Sequence, residues 1–137
     1  MLPLRGAFRT LLIFALAAAV YLALRGNLWL FKPEEGIYLT GGRQILLGEY
    51  PYRDYFALTG PGTFWLHALV FRLAGTTLFA ARLIPAIAIA GLSAAVHRLA
   101  GGGLRGGLAG ALFFFLAVWQ PSLAVNDHRW ESAALAT

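Results

Sequence analysis

The 137-residue chain has no cysteine, which removes thiol catalysis and disulfide cross-links and leaves the redox compartment unmarked. Charge is almost as scarce. Only 12% of residues are charged, against 59% hydrophobic, where soluble domains carry roughly 25% charged residues. So few charges cannot cover a water-facing surface, and the composition points to a bilayer. Acidic residues are the rarest class of charge, six against eleven basic ones, so each carboxylate must be accounted for individually.

The formal charge of +5 does not imply nucleic acid. The arginines stand singly between apolar runs, without a basic stripe or an RNA-binding signature, and basic residues flanking hydrophobic segments are the usual dressing of membrane helices. No partner nucleic acid is expected. Nor do His67, His97 and His128 have partners at metal-ligand spacing such as H-E-x-x-H, so a histidine-based zinc site is not expected.

What is present is a series of apolar segments, each spanning helix needing about 20 residues. The first, 10–31, is preceded by Arg5 and Arg9 and is interrupted only by Arg25 and Asn27. Its start fits a signal peptide, but the apolar character resumes at "LWLF", which favours an uncleaved helix with a cytoplasmic N-terminus. Further spans are expected at about 80–99 and 106–125. Pro85 falls in the first turn or so of the second, where proline is tolerated. The chain stops at "WESAALAT" as another apolar stretch begins, and so reads as the N-terminal part of a larger membrane protein.

Between the first two spans lies an outer loop, 32–79, with two short helices at about 34–47 and 62–74. Pro33 suits a first helical position, where its missing N–H costs nothing, and Gly48 closes that helix. "EYPYRDY" reads as an extended aromatic loop and "TGPG" as a breaker. The 62–74 segment covers roughly 18 Å, too short for a 30 Å hydrocarbon core, and is expected to lie at the membrane surface. The fold class is therefore all-α integral membrane, with about three transmembrane helices plus surface-lying helices in the first outer loop. If 62–74 lies flat, Glu34, Glu35, Asp54, Asp127 and Glu131 share the outer face and the basic hairpin His97–Arg105 lies inside. If it spans instead, Asp127 and Glu131 move to the opposite face.

"GGGLRG" fits the G-x-G-x-x-G pattern at Gly101, Gly103 and Gly106. That fingerprint needs a preceding strand, whereas a hydrophobic helix precedes it here, so it reads as a hairpin turn. Gly102, Gly106 and Gly110 then offer small-xxx-small spacing for helix packing.

Taken alone, Glu34 and Glu35 are explained by the helix dipole, which favours carboxylates in a first turn. Asp54 between Arg53 and Tyr55 reads as a solvated loop charge, and Asp127 and Glu131 as interface residues. Their order along the chain points further. A first apolar helix is followed by "PEEGIY", with Tyr38 closing it, then "LLGEYPYRDY", "GPGTFWLHALVFRLAG" and "AARLIPAIAI". This succession resembles the N-terminal portion of the GT-C superfamily of polyprenyl-phosphate-sugar-dependent glycosyltransferases. The likeness is to the branch holding protein O-mannosyltransferases, the lipid A aminoarabinose transferase and RgtA-like enzymes, and it covers nearly all of the chain.

The resemblance implies roles for particular residues. The family opens its first outer loop with an Asp-Glu pair whose aspartate is catalytic. Glu34 stands at that position and Glu35 at the following glutamate, so the carboxylate here is one methylene longer. The family's G-x-x-P-Y-x-D stretch is matched by Gly48, Pro51, Tyr52 and Asp54. Its surface helix is matched by Pro61, Phe64 and Trp65, and its a-x-R-L-P entry to the next span by Arg82, Leu83 and Pro85, with Ile84 inserted. An acid of the second outer loop would be Asp127 or Glu131.

The implied reaction moves a sugar from a polyprenyl-phosphate donor to an acceptor hydroxyl on a lipid, glycan or protein, at the outer face of a bacterial cytoplasmic membrane. Glu34 would be the base. Glu35, Tyr38, Arg53, Asp54, Arg82, Asp127 and Glu131 would assist or bind substrate, and Arg53, Arg82 or a divalent cation (Mg or Mn, held by Glu34, Asp127 and Glu131) would neutralise the phosphate. In that family much of the donor site comes from later helices, which implies that this segment alone is inactive. The competing expectation is a non-enzymatic polytopic membrane protein, a transporter subunit or assembly factor. A transporter should carry ionisable residues mid-helix, whereas the acids here gather near helix ends.

Overall fold

Helix-start and helix-stop residues set most of the architecture. The structure, a computed structural model, describes residues 2–26, 33–57 and 60–119, with the side chains of 2–5, 33 and 34 outside that description. Among the described residues it is all-helical: α1 (Leu2–Arg25), α2 (Pro33–Leu46), α3 (Pro61–Ala74), α4 (Leu78–Leu99) and α5 (Gly103–Trp119). Pro33 and Pro61 open α2 and α3 at positions that need no N–H donor. Gly48 (φ 88°) and Gly75 (φ 83°) follow α2 and α3 in the left-handed region, where glycine has no Cβ to strain.

Two helices are long and apolar enough to cross a membrane, Gly6–Arg25 within α1 and Leu78–Leu99. At 1.5 Å per residue, the 22 residues of α4 reach about 33 Å, past a 30 Å core. The 17 described residues of α5 reach about 25 Å. The expected first span overlaps α1, which begins at Leu2 and ends at Arg25; the expected continuation over 27–31 lies outside the described residues, as do 120–125 of the expected third span. The place of Pro85 differs from the expected first turn. Thr77 caps α4, its hydroxyl accepting from the Ala80 amide at 3.1 Å, so the helix begins at Leu78 and Pro85 falls in its interior, where it removes one i→i−4 hydrogen bond.

α4 is the hub. It packs against α1 and α5 along its length and against α3 near its start, while α2 pairs with α3. One apolar cluster joins Tyr21 of α1, Ala86, Ala88 and Ile89 of α4, and Ala117 and Val118 of α5. A second joins Tyr38, Ala57 and Phe64, and a third joins Phe71 to Ala80 and Ala81. The end of α1 lies beside the start of α4, where a Cβ on Gly26 would stand 2.9 Å from the Phe79 ring. The α2–α3 pair therefore leaves and returns to one end of the α1/α4 pair, and α3 packs there on α2.

Glycines set the closest approaches. A Cβ on Gly106 would stand 2.4 Å from the His97 carbonyl oxygen, and one on Gly110 2.8 Å from that of Ser93, so α5 lies backbone against backbone on α4. Gly102 contributes differently: its φ of 67° makes it part of the turn. Between α2 and α3, added Cβ atoms on Gly41 and Gly42 would meet the Phe64 ring at 2.4 Å and the His67 Cβ at 2.6 Å. Gly106→Ala should therefore destabilise the chain by about 1–3 kcal/mol through overpacking against rigid backbone. Gly107→Ala meets nothing within 4 Å and should be neutral or mildly stabilising through helix propensity. Thermal unfolding of both variants in detergent checks the contrast; equal Tm values would contradict it.

Candidate active site at the α1–α2–α4 junction

The junction is built around one buried ion pair. Arg82 sits in the second turn of α4, fully buried, opposite the equally buried Glu35 in the first turn of α2. Its Nε donates to Glu35 Oε1 at 2.6 Å and its Nη2 to Oε2 at 2.9 Å, a bidentate fork matching the carboxylate geometry. Nη1 donates to the Arg25 carbonyl at 2.7 Å, occupying one of the carbonyls that the end of α1 leaves without an intrahelical donor. Arg25 in turn donates from Nη2 to the Val118 carbonyl at 2.9 Å. A polar chain thus runs from α5 through α1 and α4 to the N-terminus of α2. Tyr21, also fully buried, lies within the electrostatic reach of Arg82, Glu35 and Arg25.

Glu34 precedes Glu35 in the same first turn of α2, and its side chain is outside the described residues. Tyr38 lies one turn beyond and is buried, with its ring 6.1 Å from those of both Phe64 and His67. The His67 ring lies on Thr63, with Nδ1 2.8 Å from its carbonyl oxygen. Tyr38 thus works at the α2–α3 seam, a packing position.

Arg53 and Asp54 form a separate pair in the loop after α2. Asp54 Oδ2 accepts from the Tyr50 amide at 2.8 Å and from Arg53 Nη2 at 2.7 Å. Arg53 lies over the Tyr50 ring at 4.4 Å, and that ring lies 5.8 Å from Trp65. Asp54 is therefore the clasp of a tight turn in which Tyr52 takes φ 66°. Tyr55 fastens the loop to α2, its hydroxyl donating to the Gly41 carbonyl at 3.2 Å.

The Arg53 guanidinium, and after it the Tyr50 amide, hold the Asp54 carboxyl below its ordinary 3.8. A carboxyl depressed in the fold contributes order above its unfolded pKa and loses it as pH falls through the lower folded value. Hydrogen-exchange protection of the Tyr50 amide, corrected for intrinsic rate, should therefore be constant above about pH 5 and decline only below pH 3.8, as pH falls through the lower folded value. In Asp54→Ala it should be absent throughout. Protection that persists in Asp54→Ala would contradict the clasp.

The structure thus brings Glu35 together with Arg82, and Arg53 with Asp54. Asp127 and Glu131 lie outside the described residues. Among the described residues, no group of three or more His, Cys, Asp or Glu could hold a metal ion; the expected cation ligands Glu34, Asp127 and Glu131 fall outside that search. Pairing of Glu35 with Arg82 could not be read from the sequence, since 47 positions separate them. No known protein family, curated protein or solved structure matches the chain.

Proposed function

We propose that the chain is an integral membrane protein in which α1, α4 and α5 span the bilayer and α2–α3 lie at its outer surface, and that its complete polypeptide is a glycosyltransferase resembling the GT-C superfamily. The basic hairpin of His97, Arg98 and Arg105 then faces the cytoplasm, in keeping with the positive-inside rule. The observation that carries the reading is the Glu35–Arg82 fork. It anchors the first turn of α2 to the end of the bundle, at the level where the interface would lie. Because both Glu35 oxygens are engaged by Arg82, Glu35 is the positioning member of the acidic pair, and the base role falls to Glu34.

In the proposed reaction the acceptor hydroxyl gives its proton to Glu34 as its oxygen bonds the anomeric carbon. The bond from that carbon to the phosphate oxygen breaks, and polyprenyl phosphate leaves with the electron pair. Displacement from the opposite face inverts the anomeric centre. The nitrogens of Arg82 are committed to Glu35 and to the Arg25 carbonyl, which favours Arg53, 65% exposed, as the arginine that meets the phosphate.

The absence of native cysteine makes the topology directly testable. Leu47→Cys, at a 70% exposed position just past α2, should react with a membrane-impermeant maleimide from outside intact cells. Leu104→Cys, 80% exposed in the hairpin, should react only after permeabilisation. Activity is tested by incubating the product of the complete reading frame, in liposomes, with a labelled polyprenyl-phosphate hexose. Transfer of label to an acceptor hydroxyl is expected; an intact donor would refute the reading.

A further inference from the structure

Between α2 and the loop that follows it lies an open groove of about 420 Å³, lined among the described residues by Gly36, Ile37, Thr40, Gln44, Tyr55 and Phe56. Its volume falls within the range of small-molecule sites. We infer that this groove is a binding subsite for a neutral saccharide. On the reading of the preceding subsection, that saccharide is the hydroxyl-bearing acceptor.

The lining chemistry selects the ligand class. Thr40 and Gln44 offer a hydroxyl and a primary amide, each able to donate and accept, and Gly36 leaves the wall of α2 open at one end. Tyr55 and Phe56 offer aromatic faces. Among the described residues the lining has no charged side chain, so nothing in it would compensate a phosphate or carboxylate. Hydroxyl and amide groups beside aromatic rings, without formal charge, suit a molecule that is polar at its edges and apolar on its C–H faces.

The aromatic wall is partly pre-set. Tyr55 is held by its bond to the Gly41 carbonyl and by an edge-on contact with Phe64 at 6.1 Å. Phe56 beside it is 83% exposed, a large ring with a free face at the groove's margin. From Gly36 to Gln44 the groove follows about 12 Å of α2. It begins two residues after Glu34, so a saccharide lying along it would present a terminal hydroxyl toward the start of the helix.

The test uses the chain in phosphatidylcholine nanodiscs, with mannotriose and maltotriose as neutral probes and trigalacturonate as the anionic comparison, read by saturation-transfer NMR. At least one neutral trisaccharide should bind and trigalacturonate should not. Phe56→Ala and Gln44→Ala should each weaken binding by about tenfold, from one lost ring contact or hydrogen bond. Leu69→Ala, an exposed position on α3, should leave it unchanged. Both groove residues are at least partly exposed, and circular dichroism confirms that the variants stay helical. Absence of neutral-saccharide binding, or binding indifferent to Phe56→Ala and Gln44→Ala, would overturn the inference, as would Phe56 being buried in lipid when probed with spin-labelled phosphatidylcholine. The transfer assay is independent. Groove-dependent binding without transfer retains the subsite and removes its acceptor role. Transfer indifferent to both groove variants retains the glycosyltransferase and removes the subsite.

Discussion

Arg82→Leu is expected to destabilise the fold by about 3–5 kcal/mol, because it leaves the Glu35 carboxylate buried without a partner. The same substitution removes the donor to the Arg25 carbonyl, so α1, α2 and α4 lose their shared tie together. The double variant Glu35→Leu/Arg82→Leu should recover much of that loss, since replacing both members of a buried pair by apolar residues is often neutral or stabilising. Recovery should stop short of wild type by about 1–3 kcal/mol, the cost of the Arg25 carbonyl left without its donor. Denaturation in detergent, followed by circular dichroism, reads all three proteins. A single Arg82→Leu variant as stable as wild type would show that the pair does not hold the junction.

Glu34→Gln should reduce sugar transfer by the product of the complete reading frame by about 100–10,000-fold, the usual contribution of a positioned general base. Folding should be little affected, since the fork that fastens α2 is made by Glu35. Glu35→Gln should behave differently: it weakens the fork with Arg82, so it should lower both stability and activity. The pattern that matters is the separation of the two effects between neighbouring carboxylates. If Glu34→Gln instead unfolded the protein at full specific activity per folded molecule, the base assignment would fail.

Much of the helical layout was legible because local chemistry decides it. Pro33 and Pro61 open helices where a missing amide hydrogen costs nothing, and Gly48 and Gly75 supply the positive φ that follows them. The place of Pro85 was less legible, for an equally local reason. Thr77 caps α4 with its hydroxyl, which sets the helix start at Leu78 and leaves Pro85 in the interior rather than in the first turn. Longer-range features were less accessible. Arg82 is an isolated charge in "AARLIP", and only the fold brings it to Glu35. Asp54 read as a solvated loop charge, yet its carboxylate holds the Tyr50 amide, a contact set by the turn geometry of five residues rather than by composition. Paired glycines inside a helix, as Gly41 and Gly42 are in α2, cost stability and so point to a close neighbour, here α3.

The fold also gives physical meaning to the charge pattern. A buried arginine with three committed nitrogens is expensive to desolvate, and the chain places it where three separate helix termini need tying. The exposed charges Arg53 and Asp54 instead shape a loop, where a solvent-facing pair contributes little to stability but fixes the path of the backbone. The two pairs thus divide the work: one secures the helix that starts at the acidic pair, the other orders the loop that borders the groove.

The most direct test of the central claim follows both halves of the transferred molecule. Liposomes bearing the product of the complete reading frame would receive a polyprenyl-phosphate hexose of defined anomeric configuration, labelled in the sugar, together with a saccharide acceptor outside. The account predicts that polyprenyl phosphate and glycosylated acceptor appear in equal amounts, with the anomeric configuration inverted. Donor that stays intact in the presence of acceptor, or product that retains the donor's configuration, would contradict it.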